Sequence, residues 1–259
     1  MRLSSLSAEE FVSSLCIYHK EQKKLAFFDL NAAQLELLHL MQNHDRILVP
    51  KARQLGISTV IRAFFFWKAY MAKEPQPYAV MSHTRDSAEN LNKMDKTFYS
   101  NMPPKYQKTL AKLNTRHMVF KGSGASCDVY TAGGRGGTRS FAAAAAHLSE
   151  FAFYPDQEET IAEIEATVGE GLIILESTAN EPNDKFHDLI RGSLAGENDW
   201  VVAFFGWQVK PEYYAKPPRS FKITPDEIVL KEAYDLSEGQ LYWRRKKIRT
   251  LGNYKFRRE

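Results

Sequence analysis

Lys51-Ala-Arg-Gln-Leu-Gly-Ile-Ser-Thr59 follows the short apolar run Ile47-Leu48-Val49-Pro50 and opens Val60-Ile-Arg-Ala-Phe-Phe-Phe-Trp-Lys-Ala-Tyr70, a segment long enough for a helix. Strand, glycine-containing turn and helix in that order form the setting of a phosphate-binding loop, where backbone N–H groups and a helix N-terminus face the anion. Laid on the pattern G-x-x-x-x-G-K-[ST], the second glycine falls on Gly56 and the hydroxyl on Ser58. Two positions depart from it. Lys51 stands where the first glycine is expected, and Ile57 where the lysine is expected. An isoleucine cannot neutralise a triphosphate, so the cation has to come from Lys51 or Arg53. Taken alone, the stretch also reads as a basic turn ahead of a buried helix.

Working outward, Ser7-x-x-Glu10 and Asn31-x-x-Gln34 are capping boxes. They predict a helix running to about His19 and another over Ala32 to about Gln42. After a helix over 60–73, Pro77–Ser82 reads as a strand, and His83-Thr84-Arg85-Asp86 opens a helix to about Tyr99. His117–Phe120 and Cys127–Thr131 read as paired strands around Lys121-Gly-Ser-Gly124. Residues 158–168 read as a helix, with buried strands at Gly171–Leu175 and Trp200–Phe205. Strands alternating with helices imply an α/β fold with a mostly parallel sheet covered on both faces. Past residue 210 come a Pro- and Tyr-containing linker and two capped helices, opened by Thr224-Pro-Asp-Glu227 and Ser237-x-x-Gln240. These predict a small helical lid or linker subdomain.

The 259 residues, 44% hydrophobic and 12% aromatic, fit a packed core rather than disorder. No apolar run approaches the ~18 residues of a membrane span, and the N-terminus lacks a signal-peptide pattern. Two cysteines, Cys16 and Cys127, match neither a disulfide framework nor a zinc spacing, which suits a reducing cytoplasm. The net charge of +4 is local: residues 244–259 carry eight Lys or Arg against one Glu, and the remainder holds 27 basic and 30 acidic side chains. Such a cluster attracts phosphate backbones through counterion release, or else forms a solvated helix face.

Four further segments gain meaning beside the loop. Phe141–Leu148 is apolar and ends in Ser149-Glu150, where Glu150 could polarise an attacking water while Ser149 offers a hydroxyl to a metal's water shell. Its alanines read locally as helix. Ile174-Leu175-Glu176-Ser177-Thr178-Ala179-Asn180 delivers small polar residues to the end of a buried strand, where ligands lie in open α/β sheets. Gln34 could read an adenine edge or simply complete its capping box. Gly133-Gly-Arg135-Gly-Gly-Thr-Arg139 could send an arginine to a neighbour's nucleotide, or be an ordinary glycine-rich loop.

Leu30-Asn-Ala-Ala-Gln34, Lys51–Thr59, Arg135-Gly-Gly-Thr138, Leu148-Ser-Glu-Phe-Ala-Phe-Tyr154 and Glu176-Ser-Thr-Ala-Asn180, in this order, resemble the large terminase subunits of tailed bacteriophages. That family includes branches with the lysine at the front of the loop and Ser-Glu in place of Asp-Glu. The resemblance implies a P-loop NTPase of the RecA/ASCE type, with an ATPase core over 1–210, a helical extension at 1–26 and a lid at 211–259. It implies ATP as substrate and Mg²⁺ as cofactor. Gln34 would recognise adenine; Lys51 and Arg53 would meet phosphates, with Gln54, Gly56, Ile57, Ser58 and Thr59 completing the cradle. Ser58 and Ser149 would face the metal, Glu150 would be the catalytic glutamate, and Thr178 and Asn180 would couple hydrolysis to movement. Arg139 or Arg135 would act in trans within a ring, pentameric on the capsid. The implied partners are double-stranded DNA, portal protein and procapsid, the small terminase subunit and further copies of the chain, with no membrane, in the host cytoplasm and transiently on the procapsid. Family members continue into a nuclease domain, so no DNA cleavage is expected from this chain. A helicase-like ATPase and a DNA-binding or assembly module with a decayed nucleotide site are the alternatives.

Overall fold

A computed structural model describes residues 5–19, 22–132 and 143–258. Capping decides where the first helices begin. The Ser7 box opens α1 (Ala8–Ser13), and the Asn31 box opens α2 (Ala32–Asn43) with both reciprocal bonds formed. The first helix is shorter than expected. Its end is tied by the Ser14 hydroxyl to the Phe11 carbonyl, and β1 (Cys16–His19) then pairs antiparallel with β2 (Lys24–Phe27). Ile17 and Tyr18 favour an extended backbone, and they break the helix that the capping box alone would extend.

The central strands are β3 (Arg46–Pro50), β4 (Pro77–Ser82), β7 (Ser126–Thr131), β8 (Ala145–Ser149), β9 (Leu172–Ser177) and β10 (Val201–Val202). Two more, β5 (Leu110–Leu113) and β6 (His117–Phe120), extend one edge antiparallel. Among the described residues the order is β10-β3-β9-β8-β4-β7-β6-β5, with every pair from β10 to β7 parallel. The β5 strand is not foreseen in the sequence. The buried strand expected at Trp200–Phe205 is a short edge strand beside β3: its regular ladder covers only half-buried Val201–Val202, Phe204 is exposed, and an isolated bridge joins Lys51 and Phe205.

Two layers of helices cover the sheet. On one face, α3 (Ile57–Met71) packs with α1, α2 and α4 (Arg85–Ser100), burying Phe64, Phe65 and Phe66 completely. Each such ring contributes roughly 1.5–3 kcal/mol of transfer free energy. The other face carries α5 (Gln157–Val168) and α6 (Lys185–Ala195) over Leu48, Leu148, Ile173 and Leu175. The alanines of β8 are resolved by this sandwich. Ala145 and Ala146 sit in the middle of the sheet between β4 and β9, and pairing on both edges overrides their helical propensity. The last helices of the described residues are α7 (Pro225–Tyr234), α8 (Glu238–Leu251) and α9 (Asn253–Arg258). Trp243 of α8 stacks on Tyr213 with ring centroids 4.3 Å apart.

Candidate active site

The turn after β3 is built around two left-handed residues, Gln54 (φ 59°) and Gly56 (φ 73°). Gly56 has a second constraint: a Cβ there would lie 2.4 Å from Gln34 Nε2. That amide donates to the carbonyls of Leu55 (3.2 Å) and Gly56 (3.3 Å), while Gln34 Oε1 accepts from the Asn31 N–H at 3.0 Å. Gln34 is therefore buried beneath the loop, with both ends of its amide engaged. Helix α3 begins at Ile57 with no side-chain cap, so the N–H groups of its first turn face the loop. Ile57 itself packs in the core, and Ser58 and Thr59 are half-buried in that first turn.

Lys51 leaves the end of β3 and turns its ammonium toward two carboxylates. Nζ lies 3.1 Å from Glu150 Oε1 and 3.2 Å from Glu176 Oε1, and the lysine side chain is only 7% exposed. Glu150 follows β8 in a left-handed conformation (φ 57°), a strained placement for a glutamate of the kind that collects at functional sites. Thr178 Oγ1 donates to Glu150 Oε2 at 3.3 Å. Strands β3, β9 and β8 are neighbours, so their carboxyl ends bring Lys51, Thr178 and Glu150 to one rim.

Beneath this rim, Glu176 is fully buried. Ser58 Oγ donates to its Oε1 at 2.6 Å, and His147 Nε2 lies 2.6 Å from its Oε2. Burial alone would raise the Glu176 pKa, but the charge of Lys51 and the bonds from His147 and Ser58 hold it far below the usual carboxylate range. The ionised carboxylate makes His147 Nε2 the donor. Burial keeps the histidine pKa below its ordinary value, which favours the neutral ring. For Lys51, burial is overcome by Glu176 and then Glu150, and the ammonium is held charged. Glu176 stands within a segment that the sequence singles out, but nothing local assigns it a role. The available signal was an acid inside an apolar strand, in line with the histidine inside β8.

The remaining expected residues fall around this centre. Arg53 and Gln54 are exposed on the turn, where the segment ahead of α7 meets them: the Tyr213 hydroxyl donates to the Arg53 carbonyl at 2.9 Å and Lys210 to the Gln54 carbonyl at 3.3 Å. Ser149 is buried at the end of β8. Asn180 Nδ2 donates to the Ala152 carbonyl at 2.9 Å, and its Oδ1 accepts from Arg258 of α9. Arg135 and Arg139 lie outside the described residues. The basic tail is partly tied to the preceding segment, with Arg245 of α8 paired to Glu227 of α7 and stacked over Phe221, whereas Lys246, Lys247 and Arg249 are exposed.

The oxygen donors here, the hydroxyls of Ser58 and Ser149 and the carboxylates of Glu150 and Glu176, are hard ligands of the kind Mg²⁺ takes when phosphates and waters complete its shell. Among the described residues no group of three or more His, Cys, Asp or Glu could hold a metal alone, and no helix is long and apolar enough to cross a membrane.

No family sequence model matches the chain, and no curated protein is similar to it in sequence. Solved structures are similar in fold. The large terminase of bacteriophage HK97 superposes with a TM-score of 0.70 at 15% identity over 97% of this chain and 53% of that one. The large terminase ATPase domain of Thermus phage P74-26 gives 0.65 at 15% identity over 90% and 92%. A large terminase from a thermophilic bacteriophage, in complex with ADP, gives 0.52 at 14% identity over 85% and 50%. The chain thus has the fold of a large terminase ATPase domain, and it spans about half the length of the HK97 protein and of the ADP-bound one.

Proposed function

We propose that the chain is an ATPase motor domain that hydrolyses ATP with Mg²⁺ to drive double-stranded DNA into a viral procapsid. The observation that carries this reading is the meeting of Lys51 with Glu150 at the carboxyl ends of neighbouring β3 and β8 (3.1 Å), beside the uncapped start of α3. Phosphates would lie on the first-turn N–H groups of α3, with the Lys51 ammonium supplying the charge that Ile57 cannot. The metal ion, held from the protein side by Ser58 and Ser149, would supply charge neutralisation on the phosphate oxygens. Glu150, released from Lys51 once the ammonium turns to phosphate, would accept a proton from the attacking water. Thr178, bonded to Glu150, and Asn180, bonded to α9, would report the loss of phosphate to the lid. Arg135 or Arg139 would complete the site of an adjacent subunit in a ring. Exposed lysines and arginines of α8 suit contact with a DNA backbone. Gln34 would have to exchange one of its present bonds to read adenine. Portal protein, procapsid and small terminase subunit are the proposed partners, in the host cytoplasm.

Steady-state ATP turnover tests the reading. Glu150→Ala should lower it by about 10²–10⁴-fold, the usual contribution of a general base. Turnover unchanged by Glu150→Ala and by Lys51→Ala would remove the assignment; nucleotide binding with no turnover, even with DNA and procapsid added, would favour a decayed site.

A further inference from the structure

Glu176 has no part in the scheme above, yet it is the acid with the most enclosed surroundings at the site. The strand register explains why so many groups converge on it. Glu176 is opposite Val49 on one side and Ser149 on the other. Side chains alternate along strands, so its carboxylate lies on the same face as Lys51, two residues after Val49, and as His147, two residues before Ser149. That face is covered by α3, which brings Ser58 to the same oxygen that Lys51 approaches. A carboxylate is costly to bury, and a well-packed apolar side chain commonly serves stability as well or better.

We propose that Glu176 is a positioning residue of the nucleotide site, holding the Lys51 ammonium and the Ser58 hydroxyl where they meet phosphate and metal. This rests on the ATPase reading and goes beyond it. A lysine at the front of the loop emerges from the end of a strand on a flexible four-carbon stem, without a helix turn to aim it. The neighbouring strand supplies a fixed counter-charge instead, and His147 locks that counter-charge without adding a second cation. An ammonium has three N–H donors. Lys51 can therefore keep its bond to Glu176 and exchange the one to Glu150 for a phosphate oxygen, which delivers the cation and frees the base in a single movement.

The test measures affinity of the whole chain for Mg²⁺ and ATPγS by calorimetry in the parent, Lys51→Met, Glu176→Gln and the double variant. Lys51→Met should weaken binding at least about tenfold, as loss of a charge-assisted contact does. With Lys51 present, Glu176→Gln should weaken it at least about fivefold, and in the Lys51→Met background by less than about twofold, the signature of groups acting as one. The sign is diagnostic: removing an anion beside a polyanionic ligand would on its own tighten binding. Glu176→Asp, which keeps the charge and shortens the reach, should weaken binding in the same direction and serves if Glu176→Gln does not fold. Lys51-dependent binding that Glu176→Gln leaves unchanged or tightens, or weakens equally in both backgrounds, overturns the positioning role while the ATPase reading stands. No binding by the parent, or equal binding by parent and Lys51→Met, overturns both.

Discussion

Two ionic clusters are buried on the same side of the sheet, and they differ in what they leave open. Arg62 of α3 and Asp95 of α4 are both fully buried and form a one-to-one fork, with Arg62 Nε 3.1 Å from Asp95 Oδ1 and Nη2 bonded to Oδ2. At the rim, one cation faces two carboxylates, and one of these, Glu150, is 27% exposed. The closed pair joins two helices and has no route to a ligand. The open cluster carries surplus negative charge, a hydroxyl and a neutral histidine, and its edge lies at the uncapped start of α3. Burial of charge by itself therefore does not mark a site; the unbalanced stoichiometry and the open edge do.

This contrast predicts a clean exchange of phenotypes. Lys51→Ala should lower ATP turnover by at least about 10²-fold, as loss of a group that stabilises transition-state charge does. Arg62→Ala should leave nucleotide affinity unchanged at temperatures where the variant is folded, but cost about 3–5 kcal/mol of stability in urea unfolding, because Asp95 is left buried without its partner. If Arg62→Ala weakens nucleotide binding in the folded state, the two clusters are not independent and the comparison fails. Replacing both partners sharpens it further. Arg62→Met with Asp95→Leu should return to within about 1–2 kcal/mol of the parent, since an apolar pair of similar volume can replace a buried salt bridge. The same treatment of Lys51 and Glu176 should leave nucleotide binding weakened at least about tenfold, whatever it does to stability.

The open cluster was more legible in the sequence than the closed one, for a physical reason. A phosphate loop is local: β3, the turn with Gly56 and the start of α3 are contiguous, so spacing picks out Ser58 and narrows the cation to Lys51 or Arg53. Glu150 and Thr178 followed from where strands end. Glu176 and His147 needed the register between β8 and β9, which no local pattern encodes, and Arg62 met Asp95 only through the packing of α3 on α4. The extended backbone at Cys16–His19 was hidden by a strong capping box ahead of it. Helix α6 is hard to read because Asp184 caps a segment whose second half carries Gly192 and Ser193, both poor helix formers. The order of the strands, which decides that Lys51 and Glu150 meet at all, came from tertiary structure.

The smallest expected effect separates the two buried acids by pH. Burial, together with the charge of Asp128, raises the Asp95 pKa against the lowering by Arg62, whereas Glu176, with three donors around it, is held far down. A depressed carboxylate contributes stability above its ordinary 4.5, and that contribution is lost as pH falls, because there the unfolded chain takes up a proton that the folded chain does not. A raised carboxylate acts oppositely: above its ordinary 3.8 the folded chain takes up the proton first, so acid relieves the cost of burying it. Between about pH 5 and 4, unfolding free energy measured in urea should therefore fall less steeply with acid in Glu176→Gln than in the parent, and more steeply in Asp95→Asn. The slopes are informative even though both variants start from lower stability, since linkage reads the difference in bound protons rather than the absolute free energy. Equal slopes in all three proteins would mean that both acids titrate alike folded and unfolded, and the distinction between a closed pair and an open, over-supplied cluster would then lose its electrostatic basis.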